Sequence, residues 1–121
     1  MRASYVLLLV VCIAGCGRKP VSYREQIQPI LNNHCITCHG AENPSGKINL
    51  TSFETLMNSR TIHGKKPLIV SGDAAQSWLY ILARTNQPHV RMPPDTSAQK
   101  ALPEDDVQLI GKWIMQGAKD N

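Results

Sequence analysis

The sequence predicts an all-α fold, and three features of the chain support this prediction. Ser22–Glu25 and Thr51–Glu54 have the capping-box pattern, in which a hydroxyl and a carboxylate bond the free amides at a helix start. Val107, Ile110 and Ile114 recur with helical spacing near the C-terminus. Alternating apolar segments, which are typical of strands, are nearly absent. We therefore expect one small domain of three to five short helices.

The first helix is expected to begin at Ser22 and to run into Cys35. Its apolar residues fall on one side: Ile27, Ile30 and Leu31. Pro29 lacks the amide that a helix interior requires, so we expect a first turn and then a kink or restart at this residue.

Two short helices are expected in the middle of the chain. Thr51 and Glu54 would cap a helix that contains Phe53, Leu56 and Met57. Ser77 could cap a second one, which contains Trp78, Leu79, Ile81 and Leu82.

The last helix has the clearest boundaries. Pro103 suits its first turn, and the acidic residues 104–106 complement the positive end of the helix dipole. Gly117 can adopt the left-handed conformation that ends a helix. The apolar stripe of this helix, with Leu109 and Trp113 beside it, has to pack against another element.

Cys35-Ile36-Thr37-Cys38-His39 is a Cys-x-x-Cys-His motif, the pattern for covalent attachment of a c-type haem. Its spacing lets the backbone make about one turn, so that both sulfurs face one edge of the porphyrin. His39 then lies beneath the iron and can bind it. We expect the other ring N–H of His39 to donate to a backbone carbonyl in the Gly40–Gly46 loop, with Pro44 as one candidate.

Three other interpretations of this motif remain open. A zinc site would normally have a second ligand pair, which the sequence lacks, although His34, His63 and His89 could be brought together by folding. A thioredoxin-like redox pair would be expected beside a strand–helix–strand pattern. A structural disulfide would form in an oxidising compartment but does not require the histidine.

A methionine is the expected second axial ligand of the iron. Met92 precedes Pro93 and Pro94, which favour a stiff, extended loop that can hold a thioether in one position. Met57 and Met115 lie in helical segments, where methionine more often fills a core.

Histidines are the competing candidates for the second axial position. His89 is the main alternative, because it lies three residues before Met92 in the same loop. His34 adjoins Cys35 and is expected at the surface or beside the propionates, and His63 is expected to be solvated.

The N-terminal segment has the features of a signal peptide. Residues Ala3 to Ile13 form an apolar stretch that is too short to cross a bilayer. The following residues, Ile13-Ala14-Gly15-Cys16, resemble the lipobox of bacterial lipoproteins, in which the cysteine becomes the acylated N-terminus. Cleavage before Cys16 would also remove Cys12. An ordinary secretory signal or an uncleaved anchor is the alternative.

The charge of the mature chain is modest. Without Arg2 it has 12 basic and 9 acidic residues, and the basic residues are scattered along the sequence. This distribution does not favour nucleic acid as a partner, and it would attract an acidic redox partner only weakly.

Together, the Cys35–Gly40 motif and Met92-Pro93-Pro94 resemble a class I c-type cytochrome. More narrowly, the chain resembles the small planctomycete-type cytochrome c domains, over about Ser22 to Ala118. That likeness rests on three further segments: Ile27–Leu31, Ser71–Asp73 with Ser77, and Trp113–Ala118.

The resemblance implies one haem c with thioether bonds to Cys35 and Cys38, and axial ligation by His39 and Met92. It also implies that the first and last helices pack together near the haem. We accordingly divide the chain into a signal peptide at 1–15, an acylated N-terminus and tether at 16–21, and a cytochrome c domain at 22–121.

The expected function is that of a membrane-anchored monohaem cytochrome, an electron carrier and not an enzyme. It would pass single electrons between redox partner proteins in the cell envelope, alone or in a larger complex, on the periplasmic or exterior side of a bacterial membrane. The alternative is a haem-based sensor of small ligands, or a peroxidase-like enzyme, with an open distal face.

The lipoprotein interpretation predicts the behaviour of a Cys16→Ser variant. This variant should leave the membrane fraction, because serine cannot accept the thioether-linked diacylglyceryl group. Cys12→Ser, which changes a residue of the cleaved segment, should remain with the membrane. Fractionation followed by immunoblotting measures both, and full membrane retention of Cys16→Ser would contradict the interpretation.

Overall fold

The computed structural model of the protein describes residues 19–121. Over this range the chain is helical and forms no sheet, with one isolated bridge between Arg60 and Pro67, so the all-α prediction is confirmed. The α-helices are α1 (Gln28–His34), α2 (Phe53–Asn58), α3 (Trp78–Arg84) and α4 (Glu104–Met115). A π-helical turn at Tyr23–Ile27 leads into α1, and 3-10 turns occupy Ser45–Lys47 and Ala74–Gln76.

The predicted capping box at Ser22 is half confirmed. The Ser22 hydroxyl accepts the amide of Glu25 at 3.2 Å, but the Ser22 amide donates to the Gln26 side chain at 3.0 Å and not to Glu25. The reason is the wide first turn, in which the Ile27 amide donates to the Ser22 carbonyl five residues back. Regular α-helix then starts with Pro29 in its first turn, which confirms the predicted restart.

The capping box predicted at Thr51 and Glu54 is wrong by one residue. Ser52 caps α2 by accepting the Thr55 amide at 3.2 Å, and the Thr55 hydroxyl accepts the Ser52 amide at 3.2 Å. Thr51 is occupied elsewhere, because its amide and hydroxyl both donate to Asn49 Oδ1, at 3.0 and 2.7 Å.

Ser77 precedes α3 as predicted, but its side chain does not cap the helix. The hydroxyl is fully buried, accepts the amide of Val70 at 2.8 Å and donates to the carbonyl of Asp73 at 2.7 Å. A buried hydroxyl needs partners in the interior, so Ser77 joins two loop segments instead of satisfying a helix amide.

Helix α4 forms the centre of the core. Its buried residues are Val107, Ile110, Gly111, Trp113 and Ile114, which confirms the predicted stripe. The Trp113 ring lies 5.4 Å from the Tyr23 ring, between centroids, so the first and last helical segments pack together as expected. Gly117 has φ +102° where the helix ends, and its amide donates to the Ile114 carbonyl.

The two ends of the described chain are bonded to each other. The Val21 amide donates to the Gln116 side chain at 2.7 Å, and the Tyr23 amide donates to Asn121 Oδ1 at 2.9 Å. Exposed Arg24 and Asp120 add an ion pair, which contributes little. The point where the N-terminal segment enters the domain is therefore fixed beside the C-terminus.

Helices α3 and α4 approach closely at Gly111. A Cβ atom at this position would lie only 2.7 Å from Cε2 of the Tyr80 ring, which is closer than packed atoms allow. The absence of a side chain at Gly111 thus sets the distance between the two helices.

We predict that Gly111→Ala lowers the free energy of unfolding by about 1–3 kcal/mol, because the methyl group has to displace the Tyr80 ring. Denaturant unfolding of the purified domain measures the loss. The same substitution in a Tyr80→Ala background should cost less, because the clashing ring is gone. An equal loss in both backgrounds would contradict this packing explanation.

Candidate functional site

The Cys-x-x-Cys-His motif forms a tight turn directly after α1. The Cys35 amide donates to the Leu31 carbonyl at 2.8 Å, which continues the helix into the motif as predicted. The amides of Cys38 and His39 both donate to the Cys35 carbonyl, at 3.1 and 2.9 Å. These bonds place His39 one turn beyond Cys35, on a backbone that the preceding helix orients.

A backbone carbonyl orients the His39 ring. Nδ1 of His39 lies 2.9 Å from the carbonyl oxygen of Ser45. A carbonyl can only accept, so Nδ1 carries the proton and Nε2 has a free lone pair. The predicted bond to the Gly40–Gly46 loop is confirmed, with Ser45 as the acceptor in place of the candidate Pro44. The Ser45 amide in turn donates to the Cys38 carbonyl at 2.7 Å, which closes the loop on the motif.

An apolar cavity lies beside the motif, and about 540 Å³ of space, part of it open to solvent, is enclosed by its lining residues. Its walls come from α1, α3, α4 and the intervening loops. The lining residues are Leu31, Cys35, His39, Ile48, Leu50, Leu68, Leu79, Leu82, Ala83, Met92, Leu102 and Ile110. A smaller cavity of about 310 Å³ adjoins it, and the residues that line both are Cys35, His39 and Met92.

Met92 reaches the cavity from the loop that follows α3. Its amide donates to the Leu82 carbonyl at 3.0 Å, which ties the loop to the end of α3, and its peptide bond to Pro93 is cis. Pro93 is buried, while Met92 is 41% exposed. Met92 is thus held through its backbone amide and lines both cavities.

Of the other candidate axial ligands, only His34 lines either of the two cavities. Met115 is 61% exposed on α4, and Met57 packs against the hydrophobic core. His63 and His89 are exposed and line neither cavity. His34 lines the smaller cavity, where its Nε2 lies 3.8 Å from a carboxylate oxygen of Asp106.

The two cysteines of the motif differ in environment. Burial, with a smaller effect of neighbouring Cys38, raises the pKa of the Cys35 thiol to about 11. This thiol is therefore uncharged at neutral pH, as suits a sulfur in an apolar wall. Cys38 is exposed and lines the smaller cavity, and neither cysteine forms a disulfide within residues 19–121.

The side chains around the cavity suit a planar, apolar, metal-containing group such as a porphyrin. Two sulfurs and an imidazole come from one turn, and a thioether comes from a separate loop. The walls between them consist of aliphatic side chains, which fit a porphyrin face but have no hydrogen-bonding groups for a polar substrate. The donor set matches the histidine and methionine ligation known for haem iron.

Most of the cavity wall was not predicted from the sequence. Leu79 and Leu82 come from α3, whereas Leu68 and Leu102 come from two loops, and these three segments share no motif. They look like ordinary core residues in the sequence, and only the tertiary fold shows that they leave a space open.

Within residues 19–121, no group of three or more His, Cys, Asp or Glu side chains could hold a metal ion. No helix in the same range is long and apolar enough to cross a membrane. The signal peptide, Cys12 and the lipidation site Cys16 lie outside the described residues.

Comparison with known proteins gave one family match. A family model described as "Planctomycete cytochrome C" matches residues 35–96, which extend from the first cysteine of the motif to just beyond Met92. No curated protein and no solved structure matches the chain.

If the motif attaches haem, Cys35→Ala should leave at most one thioether bond. Haem staining of denaturing gels should then be much weaker than for the unaltered protein, when both mature in a host that attaches c-type haem. Cys12→Ala should stain normally, because this residue belongs to the segment expected to be cleaved. Undiminished staining of Cys35→Ala would refute attachment at this residue.

Proposed function

Because the chain belongs to the planctomycete cytochrome c family, we propose that it carries single electrons in the cell envelope through one haem c. The family implies covalently bound haem, and we assign its attachment to Cys35 and Cys38 and its axial ligation to His39 and Met92. The observation that carries the assignment is that Cys35, His39 and Met92 line the same apolar cavity.

His39 would bind the iron through Nε2. The bond from Nδ1 to the Ser45 carbonyl supports this role, because it selects the required tautomer and restricts ring rotation. The same bond increases the electron density that the imidazole can donate. When bound, the haem supplies the one-electron exchange between ferrous and ferric iron.

Met92 would bind the opposite face. A thioether favours ferrous iron more than a second imidazole does, so this ligand would raise the reduction potential. The bond between the Met92 amide and Leu82 supports a fixed position for the sulfur in both oxidation states. Fixed ligands move little during electron exchange, which is what a rapid carrier requires.

The aliphatic walls would exclude water from most of the porphyrin. Low polarity around the iron disfavours the additional positive charge of the ferric state and so acts in the same direction as Met92. Cys38 is exposed and lines the smaller cavity, so a redox partner could approach the haem edge beside this residue. We propose redox proteins as partners, either transient or in a larger envelope complex.

An acyl chain on Cys16 would hold the domain near a membrane. Cytochrome c domains are typically extracytoplasmic, in agreement with a signal peptide at residues 1–15. The short distance in sequence between Cys16 and Val21, whose amide is bonded to Gln116, would keep the domain close to the bilayer surface. The periplasmic or exterior face of a bacterial membrane is the location that fits this proposal.

The decisive experiment compares Met92→Ala with the unaltered, haem-loaded protein. Methionine ligation predicts a weak absorption band at the red end of the ferric visible spectrum, and this band should disappear completely in Met92→Ala. The ferrous variant should also bind carbon monoxide, which the unaltered protein should bind slowly or not at all. Met115→Ala, which removes an exposed methionine of α4, is the matched control and should behave like the unaltered protein.

Rapid carbon monoxide binding by the unaltered ferrous protein would favour the sensor or peroxidase-like function. It would mean that Met92 leaves the distal face open. A protein that stays colourless when it is produced in a host able to attach c-type haem would refute both functions.

A further inference from the structure

Arg91 has a buried polar atom that the protein does not satisfy. Its Nε is shielded from solvent and has no hydrogen-bond partner, and it is the one such side-chain nitrogen or oxygen found among residues 19–121. Burying a donor of a charged group without an acceptor is costly, and native proteins rarely do so. The orphaned Nε therefore indicates an acceptor outside residues 19–121.

No carboxylate of the described chain supplies this acceptor. The ion pairs within residues 19–121 are Arg24 with Asp120 and His34 with Asp106. Asp95 lies only four positions after Arg91, yet it makes no ion pair with the guanidinium. The positive charge of Arg91 thus has no anionic partner within the part of the chain that the structure describes.

Backbone hydrogen bonds hold Arg91 directly before a residue of the cavity wall. Its amide donates to the Gln87 carbonyl at 2.9 Å, and the next amide, of Met92, donates to the Leu82 carbonyl at 3.0 Å. Met92 and Leu82 both line the cavity. Arg91 is therefore the immediate neighbour in sequence of Met92, which lines the space that we assign to the haem.

A haem brings two carboxylates, its propionates, into a cavity that has no cation in its wall. Neither the larger nor the smaller cavity is lined by lysine or arginine. A guanidinium has several donors in a planar fork that matches a carboxylate, and such charge-assisted bonds are the stronger ones. A propionate is therefore the acceptor whose charge and geometry fit Arg91.

We propose that Arg91 donates through Nε to a haem propionate and thereby joins the Met92 loop to the cofactor. This inference rests on the proposed function, since it requires haem in the cavity. Arg91 is a positioning residue here. It neutralises a negative charge near the iron, which favours the ferrous state, and it holds the adjoining Met92 in place.

The test uses the full-length, haem-loaded protein with its propionate carboxyl carbons labelled with ¹³C. Arg91→Gln, Arg91→Lys and the control Arg84→Gln are compared by redox titration and by redox-difference infrared spectroscopy. Arg84 is an exposed arginine of α3 that lies over the Tyr80 ring and is not an orphaned donor. Haem staining and the far-red ferric band establish that each variant has attached haem and retains Met92 ligation.

The proposal predicts that Arg91→Gln shifts the labelled carboxylate bands and lowers the reduction potential. Arg91→Lys should shift the potential less, because the cation is kept, and Arg84→Gln should leave the bands unchanged. A haem-loaded Arg91→Gln protein with unaltered carboxylate bands and potential would overturn the propionate contact alone. Failure of all variants and of the unaltered protein to attach haem would instead overturn the proposed function, and this inference with it.

Discussion

The apolar cavity beside the Cys-x-x-Cys-His turn is the constraint on which the rest of the structure depends. The four α-helices have only 6 to 12 residues each, which is too short for stability in isolation, so their packing has to hold them. Helices α3 and α4 pack together at Gly111, yet α1, α3 and α4 also surround an open space lined by aliphatic side chains. A small domain with such a gap gains stability when a large apolar group fills it.

The Cys-x-x-Cys-His turn and the fold around it depend on each other. The motif continues α1 through the bond between Cys35 and Leu31, and its last residue is fixed from two directions. The His39 ring bonds to the Ser45 carbonyl, and the His39 carbonyl accepts the amide of Leu50, which lines the cavity. The residues assigned to attachment and ligation are thus held by the backbone, so they can keep one geometry in both oxidation states.

The Met92 loop, on the other side of the cavity, combines a restricted backbone with an unpaired charge. Met92 lies between its backbone bond to Leu82 and the buried ring of Pro93. The Nε donor of Arg91 has no acceptor among residues 19–121. A buried unpaired donor destabilises the polypeptide alone, and the carboxylates of the cofactor would relieve that cost. Under the proposed function, the same loop would contact the iron through the Met92 thioether and the porphyrin edge through the Arg91 guanidinium.

Local sequence patterns were enough to predict the helical class, the stripe of α4, the restart at Pro29 and the motif turn, because each depends on neighbouring residues. They failed where a side chain had a choice of partners. Ser77 bonds into the interior instead of capping α3, and Asn49 binds Thr51, so that Ser52 caps α2. Both outcomes depend on contacts between residues, and periodicity does not report such contacts.

By itself, then, the sequence determined the chemistry of the site: two thiols and a histidine at attachment spacing, and a methionine ahead of two prolines. Tertiary structure alone decided that Met92, and not His89 or Met115, lines the cavity with His39. It also decided which leucines form the wall and that Arg91 lacks a partner. The physical reason is that the chemical groups of a side chain are set by its residue type, which the sequence gives. Cavities and unpaired charges, in contrast, arise only when distant segments pack together.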